Sequence, residues 1–234
     1  MPVYRIPSEH LFPPVDNAEP DGLLGVGGDL APERLELAYR SGIFPWYSEG
    51  QPILWFSPDP RFVLYTAELE VPRSLKKIVR RGDFRISMDT AFAEVIGQCR
   101  QRSRPGQRGT WITGAMERSY NELHARGQAH SVEAWSGERL VGGLYGVAFG
   151  HFFAGESMFA LEPDASKVGF VHLVLQLRAW GFPLIDSQVH TAHLERFGGK
   201  HIPRRRYLAE IDRLIRQPRP AGPWRFDEGF RPEV

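Results

Sequence analysis

An α+β fold built on a mixed sheet is what this sequence predicts, and three observations carry the expectation. Residues 151–159 read as a strand, 165–180 as a long helix that Gly181 should end, and 184–188 as a second strand. A helix crossing between two strands sets them parallel and close. Residues 131–135 and 139–147 are β-rich runs joined at Ser136-Gly137, the signature of a hairpin. Between residues 72 and 126, apolar side chains recur at helical spacing in three segments.

Taken in order, residues 1–60 are rich in Pro and Gly, including Phe12-Pro13-Pro14, Gly25-Val26-Gly27-Gly28-Asp29 and Phe44-Pro45-Trp46. Only 32–40 looks helical, with Pro32 suited to a first turn and Gly42 just past the end. The expectation is a small irregular domain or lid over 1–66, closing on a strand at 61–65, and a second unit over 67–234. In that unit 72–81 is an amphipathic helix: Leu75, Ile78 and Val79 point one way, and Arg73, Lys76, Lys77, Arg80 and Arg81 the other. Residues 91–99 form a second helix with Phe92, Val95, Ile96 and Cys99 on one face, followed by a basic loop at 100–109. A third runs over 114–126, capped by Thr113 and ended by Gly127. The hairpin and the 151–159 strand follow, then the crossover helix with Asp164 as its N-cap. A short helix at 191–197 stops at Gly198-Gly199. Pro203 opens a last helix whose Leu208, Ile211 and Ile215 face the core, and the Pro-rich tail from 218 lies on the surface.

Composition narrows the class. With 234 residues, 42% hydrophobic and 24% charged, the chain is an ordinary globular protein of one large or two unequal domains. The single cysteine excludes an internal disulfide and a multi-cysteine metal cluster; on its apolar helix face Cys99 reads as a core residue, in keeping with a reducing compartment. Residues 1–15 lack a signal-peptide core, and no segment has membrane-spanning length. A net charge of +1 makes no global demand for nucleic acid, but the basic helix face, the arginine loop and Arg204-Arg205-Arg206 could together follow a folded RNA backbone.

The candidate site gathers on the central strand–helix–strand unit. Ligands of such sheets sit at the carboxyl ends of the strands, so Glu156, Asp186 and Gln188 should meet there among Phe153, Met158 and Ile185. Competing motifs are weaker. Gly25-Val26-Gly27-Gly28-Asp29 lacks the Lys-Ser/Thr of a phosphate loop and reads as a tight turn. Gly155-Glu156-Ser157-Met158-Phe159 half-matches a nucleophile elbow, which with Asp186, His190 and His193 allows a serine hydrolase using Ser157; but the second glycine is absent. His190, His193, Glu195 and His201 do not have the spacing of a helical zinc motif, and read as a helix cap and solvated surface. Trp55 is core, whereas Trp46 and Trp111 could offer flat faces to an unstacked base.

Many local motifs, in one order from about residue 11 to 207, resemble the leucyl/phenylalanyl-tRNA–protein transferase family. They are Gly22-Leu23-Leu24, Gly27-Gly28-Asp29-Leu30, Gly42-Ile43-Phe44-Pro45-Trp46, Trp55-Phe56-Ser57-Pro58-Asp59-Pro60-Arg61 and Gly109-Thr110-Trp111-Ile112-Thr113. Gly142-Gly143-Leu144-Tyr145-Gly146, Gly155-Glu156-Ser157-Met158-Phe159, Ala165-Ser166-Lys167, Ile185-Asp186-Ser187-Gln188 and Ile202-Pro203-Arg204-Arg205 complete the set. The resemblance implies a small N-terminal domain on a GNAT-like acyltransferase domain, without metal or coenzyme A. It implies a cytoplasmic bacterial enzyme that moves Leu or Phe, less readily Met, from aminoacyl-tRNA to proteins with N-terminal Arg or Lys. The product carries an N-end rule degradation signal. On this resemblance Asp186 and Gln188 are catalytic, and Trp46 and Trp111 lie near the terminal adenosine.

The residues themselves complete the expectation. Glu156 and Asp186 are the carboxylates available to a cationic acceptor. Leu144, Phe153, Met158, Leu173, Leu177 and Ile185 form an aminoacyl pocket, and Arg73, Lys76, Lys77, Arg80, Arg81 and Arg204 meet the tRNA backbone. A monomer is expected, and an RNA-binding module without turnover is the rival from another class. His190-Thr191-Ala192-His193 and the leucines at 173 and 177 depart from the family's expected Leu-Asn-Asp-His and aromatics.

Overall fold

The computed structural model describes residues 3–102, 111–218, 220 and 222–234. Residues 103–109 of the basic loop and Gly109-Thr110 of the tryptophan motif lie outside the described residues. The elements are β1 Tyr4–Ile6, β2 Leu23–Gly27, α1 Pro32–Arg40, β3 Phe44–Pro45, β4 Leu54–Phe56, β5 Arg61–Tyr65, α2 Arg73–Arg81, β6 Arg85–Met88 and α3 Phe92–Gln101. There follow α4 Gly114–Ala125, β7 Ala129–Ser136, β8 Arg139–Phe149, β9 Phe152–Ala160, α5 Ala165–Ala179, β10 Leu184–Asp186, α6 Ala192–Glu195, β11 Lys200–Ile202 and α7 Arg204–Leu214.

The α+β class holds, with a seven-stranded mixed sheet in the order β11-β5-β10-β9-β8-β7-β6 and a four-stranded sheet β1-β2-β4-β3 beside it. In β8 all but the first residue are buried, because both faces of the large sheet are covered: α3 and α4 pack on one, α5 on the other. Across the faces of such a sheet an alternating pattern gives way to continuous apolar sequence. The β9–α5–β10 unit is parallel as expected, pairing Leu184 with Phe152 and Asp186 with Ala154. There β10 ends, while β9 runs on to Ala160, so the two strands part and leave an opening between them.

Several expectations are corrected. Residues 3–60 are less irregular than expected: they hold the four strands of the smaller sheet, each of two to five residues and too short to show alternation. β6 and β11, of four and three residues, escaped for the same reason. β5, grouped with the N-terminal segment by composition, pairs with β10 and β11 in the large sheet. Asp164 does not cap α5; it sits at φ 66° and binds Lys167 Nζ at 2.6 Å. The tail beyond 218 is not all surface. Trp224 is buried, stacked on His130 at 3.8 Å and set 5.8 Å from Phe153, because aromatic burial outweighs the extended preference of the prolines around it. Thr113 does cap α4, accepting from Met116 N at 3.2 Å, and Cys99 is core.

Candidate active site

The opening between β9 and β10 is shaped by a bulge. Ser157 pairs with Tyr145 and Gly155 with Gly146, so Glu156 stands as an extra residue between them. A bulge reverses the alternation of a strand and re-aims the side chain at its centre. Phe153 and Met158 accordingly pack on one face although they are five residues apart, and Phe152, Ala154 and Phe159 on the other. Gly146 opposite is obligatory, because a Cβ there would lie 2.2 Å from Ala154 O.

Glu156 is held by three neutral donors. Oε1 accepts from Tyr39 Oη at 2.8 Å and Gln188 Nε2 at 2.9 Å, and Oε2 from Tyr120 Oη at 3.1 Å. No cation pairs with it among the described residues. Burial therefore pushes its carboxyl up to about 7, against the pull of the two phenols and with help from the nearby Asp186 charge. Burial also drives the Tyr39 and Tyr120 hydroxyls well above their ordinary range, so both remain protonated donors. Gln188 presents its amide from a left-handed backbone, φ 56°. That conformation is costly for a residue with a side chain and persists only where surroundings enforce it. Its Oε1 has no protein partner among the described residues.

Asp186, on the neighbouring strand, is placed quite differently. It is fully buried and both oxygens are spent: Oδ1 accepts from Arg61 Nε at 2.8 Å and Gln188 N at 2.9 Å, Oδ2 from Arg61 Nη2 at 2.7 Å and Tyr207 Oη at 2.9 Å. Arg61 lies between the rings of Phe44 and Tyr207 at 4.8 and 4.6 Å and donates to Gly42 O. Burial works against its charge, but Asp186 more than compensates and holds its pKa above the ordinary value. Asp186 thus reaches Gln188 through the backbone N–H. The side-chain contact with Gln188 is made by Glu156, because residues 185 and 186 alternate across β10 and only Ile185 faces the opening.

The opening leads into a cavity of about 800 Å³. Of the expected residues, Leu144, Phe153, Met158, Leu173, Ile185, Glu156, Gln188, Trp46 and Trp111 all line it. Leu177 does not: it lies one turn beyond Leu173, where α5 is already sealed in the core, and Phe170 takes the place on the lining face. Lys167, Phe170 and Leu173 are spaced as one helical stripe, a regularity that could have revealed Phe170. Trp46 is 38% exposed and braced edge-on by Phe56, while Trp55 is core. His193 corrects a further expectation. It lines the cavity half-buried, its Nε2 sealed without a partner among the described residues, and burial holds its pKa below the usual value. Thr191, not a histidine, caps α6.

The remaining candidates separate cleanly. Ser157 is mid-strand, not on the strand-to-helix turn a nucleophile elbow needs. Asp29 anchors Arg34 at 3.1 Å and caps Ala31 N, so its glycine-rich stretch is a structural turn. On α2, Leu75 and Val79 are buried while Arg73, Lys77, Arg80 and Arg81 are exposed and Lys76 is half-buried. Arg204 departs from the expected RNA face: its Nη1 donates to Ser57 O at 2.6 Å, and its backbone N to Asp59, tying α7 to the N-terminal segment. Arg61, Tyr39, Tyr120 and Tyr207 were missed, since nothing local marks a residue whose partners are 21 to 146 positions away.

An apolar cavity closes on an amide–carboxylate pair at the point where two parallel strands part, and the comparisons with known proteins make the molecule an aminoacyl-group transferase. The chain belongs to the leucyl/phenylalanyl-tRNA protein transferase family, whose model matches residues 63–212; the model of that family's N-terminal domain matches 28–59. It is similar to the leucyl/phenylalanyl-tRNA–protein transferase of Anaeromyxobacter sp. (strain K), 57% identical over 226 residues that make up 97% of each chain. The counterpart in Myxococcus xanthus (strain DK1622) is 56% identical over 96% of this chain and 97% of that one. In Nitratidesulfovibrio vulgaris (strain DP4) the identity is 54% over 99% and 100%. Among solved structures, L-PGS from Bacillus licheniformis aligns with a TM-score of 0.40 at 11% identity, over 72% of this chain and 53% of that one, too distant to inform the site.

Proposed function

We propose that this aminoacyltransferase moves Leu or Phe, less readily Met, from aminoacyl-tRNA to the α-amino group of proteins whose first residue is Arg or Lys, in the cytoplasm and as a monomer. The product would carry an N-end rule degradation signal. Transfer from tRNA to protein follows from family membership; the choice of partners is our reading of the cavity. The observation that carries it is the apolar cavity ending at Gln188 and Glu156.

The donor ester is already activated, so catalysis is largely a matter of holding an amine against a carbonyl. Leu144, Phe153, Met158, Phe170, Leu173 and Ile185 would receive the aminoacyl side chain. Unbranched, flexible Met158 lets one pocket accept leucyl and phenyl groups. Trp46 and Trp111 at the rim would stack the terminal adenosine, and Arg73, Lys76, Lys77, Arg80 and Arg81 on α2 would follow the tRNA backbone. Gln188 Oε1 would accept a hydrogen bond from the attacking amine and aim it. Asp186 would act as a positioning residue, fixing the strained Gln188 backbone from behind. Glu156 is the carboxylate we assign to the acceptor's α-amine. An α-amino group of pKa about 7.7–8.0 supplies a usable neutral fraction near neutrality.

The test uses Leu-tRNA charged with labelled leucine and two peptides that differ only in an N-terminal Arg or Met. Label on the Arg peptide alone is expected. Label on both, or on neither with the tRNA still bound, would overturn the acceptor rule or leave an RNA-binding module.

A further inference from the structure

The hydroxyls of Tyr39 and Tyr120 and the carboxyl of Glu156 form a closed ring. Tyr39 Oη is 2.8 Å from Glu156 Oε1, Tyr120 Oη is 3.1 Å from Oε2, and the two hydroxyls also contact each other at hydrogen-bonding range. A ring of three such contacts needs three protons. Two phenols supply two, so with the carboxylate ionised one contact has no hydrogen. One more proton, placed on Glu156, completes the ring. The triad therefore has a built vacancy for a single proton, and it opens on the cavity through Glu156.

We infer that Glu156 is a catalytic residue of the transfer: it accepts a proton from the attacking α-amine and returns it to the leaving ribose oxygen, while Gln188 aims the amine and Tyr39 and Tyr120 hold the carboxyl in place. This rests on the aminoacyl-transfer reading above. The neutral amine enters and its nitrogen bonds to the ester carbonyl carbon. As the C–N bond forms, one N–H proton passes to Glu156. As the C–O bond to the ribose breaks, the oxygen leaves with the bonding pair and takes that proton back. Amide and free ribose hydroxyl are produced, and Glu156 ends ionised as it began.

The geometry meets the demands of the role. A carboxylate has about four acceptor positions; Oε1 uses two, and among the described residues Oε2 is engaged by Tyr120 alone, which leaves Oε2 room for the amine. Gln188 spans the gap, with Nε2 on Glu156 and Oε1 open to the cavity, so the same amine can touch both. Asp186 cannot serve, since Arg61, Tyr207 and the Gln188 N–H occupy it. A carboxyl poised at about 7 also matches the acidity of an α-amine better than an ordinary glutamate would. The titratable and charged groups around it are Tyr39 of α1, Tyr120 of α4, Tyr145 of β8 against Tyr120, and Asp186 with Arg61 and Tyr207 behind Gln188; Lys167 and His193 line the same cavity.

The experiment is single-turnover transfer from Leu-tRNA to an Arg peptide across pH, in wild type, Glu156→Gln and the double variant Tyr39→Phe/Tyr120→Phe. Infrared difference spectra of the carboxyl band accompany each. Glu156→Gln is expected to lower the transfer rate about 100-fold or more, the usual worth of a general acid–base group, a larger change than in the peptide KM. The Glu156 part of its acid limb near pH 7 and the protonated-carboxyl band should vanish together, leaving only the limb set by the peptide's α-amine. The tyrosine variant loses two donors that favour the ionised form, so its limb and its band should both move to higher pH; this arm decides the matter if Glu156→Gln does not fold. A Glu156→Gln rate within threefold of wild type, or a loss confined to KM, overturns the proposal. So does a band that fails to move in the tyrosine variant. A wild type that transfers nothing to either peptide sinks the underlying reading and this inference with it, a result distinct from the others because it needs no variant.

Discussion

Asp186 and Glu156 are carboxylates on adjacent strands, and both touch Gln188, yet they are put to opposite uses. Asp186 is enclosed between the sheet and α7, paired at both oxygens with one guanidinium and one phenol. Glu156 stands on a bulge, faces the cavity and has only neutral donors. The first arrangement builds: it joins β5, β10, α7 and, through Phe44 and Gly42, the smaller sheet. The second is left without a counter-ion among the described residues, and a buried carboxylate without one is what a reaction can use. What divides them is the presence of a counter-ion, not the identity of the residue or its depth in the fold.

The sharpest break of this contrast comes from removing one member of the sealed pair. Arg61→Met and Asp186→Leu each strand a buried charge, and each should cost about 3–5 kcal/mol in urea unfolding. The double variant should cost less than either single change; singles costing under about 1 kcal/mol would dissolve the distinction. The open carboxylate should behave in the reverse sense. Glu156 titrates near 7 in the folded protein and near 4.5 as an unperturbed side chain. Its stabilising protonated form is fully present below 4.5 and lost as pH rises through 7. Glu156→Gln should therefore be more stable than wild type above pH 7, by on the order of 3 kcal/mol, with the gain gone below pH 4.5 in thermal melts.

Smaller effects concern the edges of the cavity. Leu173→Phe narrows the aminoacyl pocket and should shift preference from Phe toward Leu by about 1–2 kcal/mol, read as the ratio of transfer rates from the two charged tRNAs. An unchanged ratio would remove Leu173 from the specificity wall. Reversing charge at Lys76 and Lys77 should flatten the salt dependence of tRNA binding by about one unit of log–log slope for each phosphate no longer neutralised. This change lies away from both carboxylates, so single-turnover rates at saturating tRNA should not move.

Much of the site was legible because it is local. The run that Gly155 opens at 155–159, the Leu-Ile-Asp-Ser-Gln stretch and the tryptophans at 46 and 111 announce an apolar cavity with a few polar groups, and Leu144, Phe153, Met158, Leu173 and Ile185 do line it. Strand–helix–strand periodicity likewise carried the central unit and its parallel pairing. Leu177 failed because helical spacing says which face a residue shares, not where along the helix the core closes over it. Arg204 failed because a run of arginines reads as a surface until a backbone carbonyl 147 residues away is found against one of them.

By itself, then, the amino-acid sequence determined the class of fold, the family, and which short segments meet at the cavity, since periodicity, turn residues and motifs are properties of neighbours along the chain. Only the tertiary structure decided which carboxylate is sealed and which is open. That choice depends on Arg61 reaching Asp186 across 125 positions and on Tyr39 reaching Glu156 across 117, and on one extra residue in β9 that turns Glu156 toward them. The electrostatics of a buried charge are set by what surrounds it in space, and contacts so distant along the chain leave no local trace in the sequence.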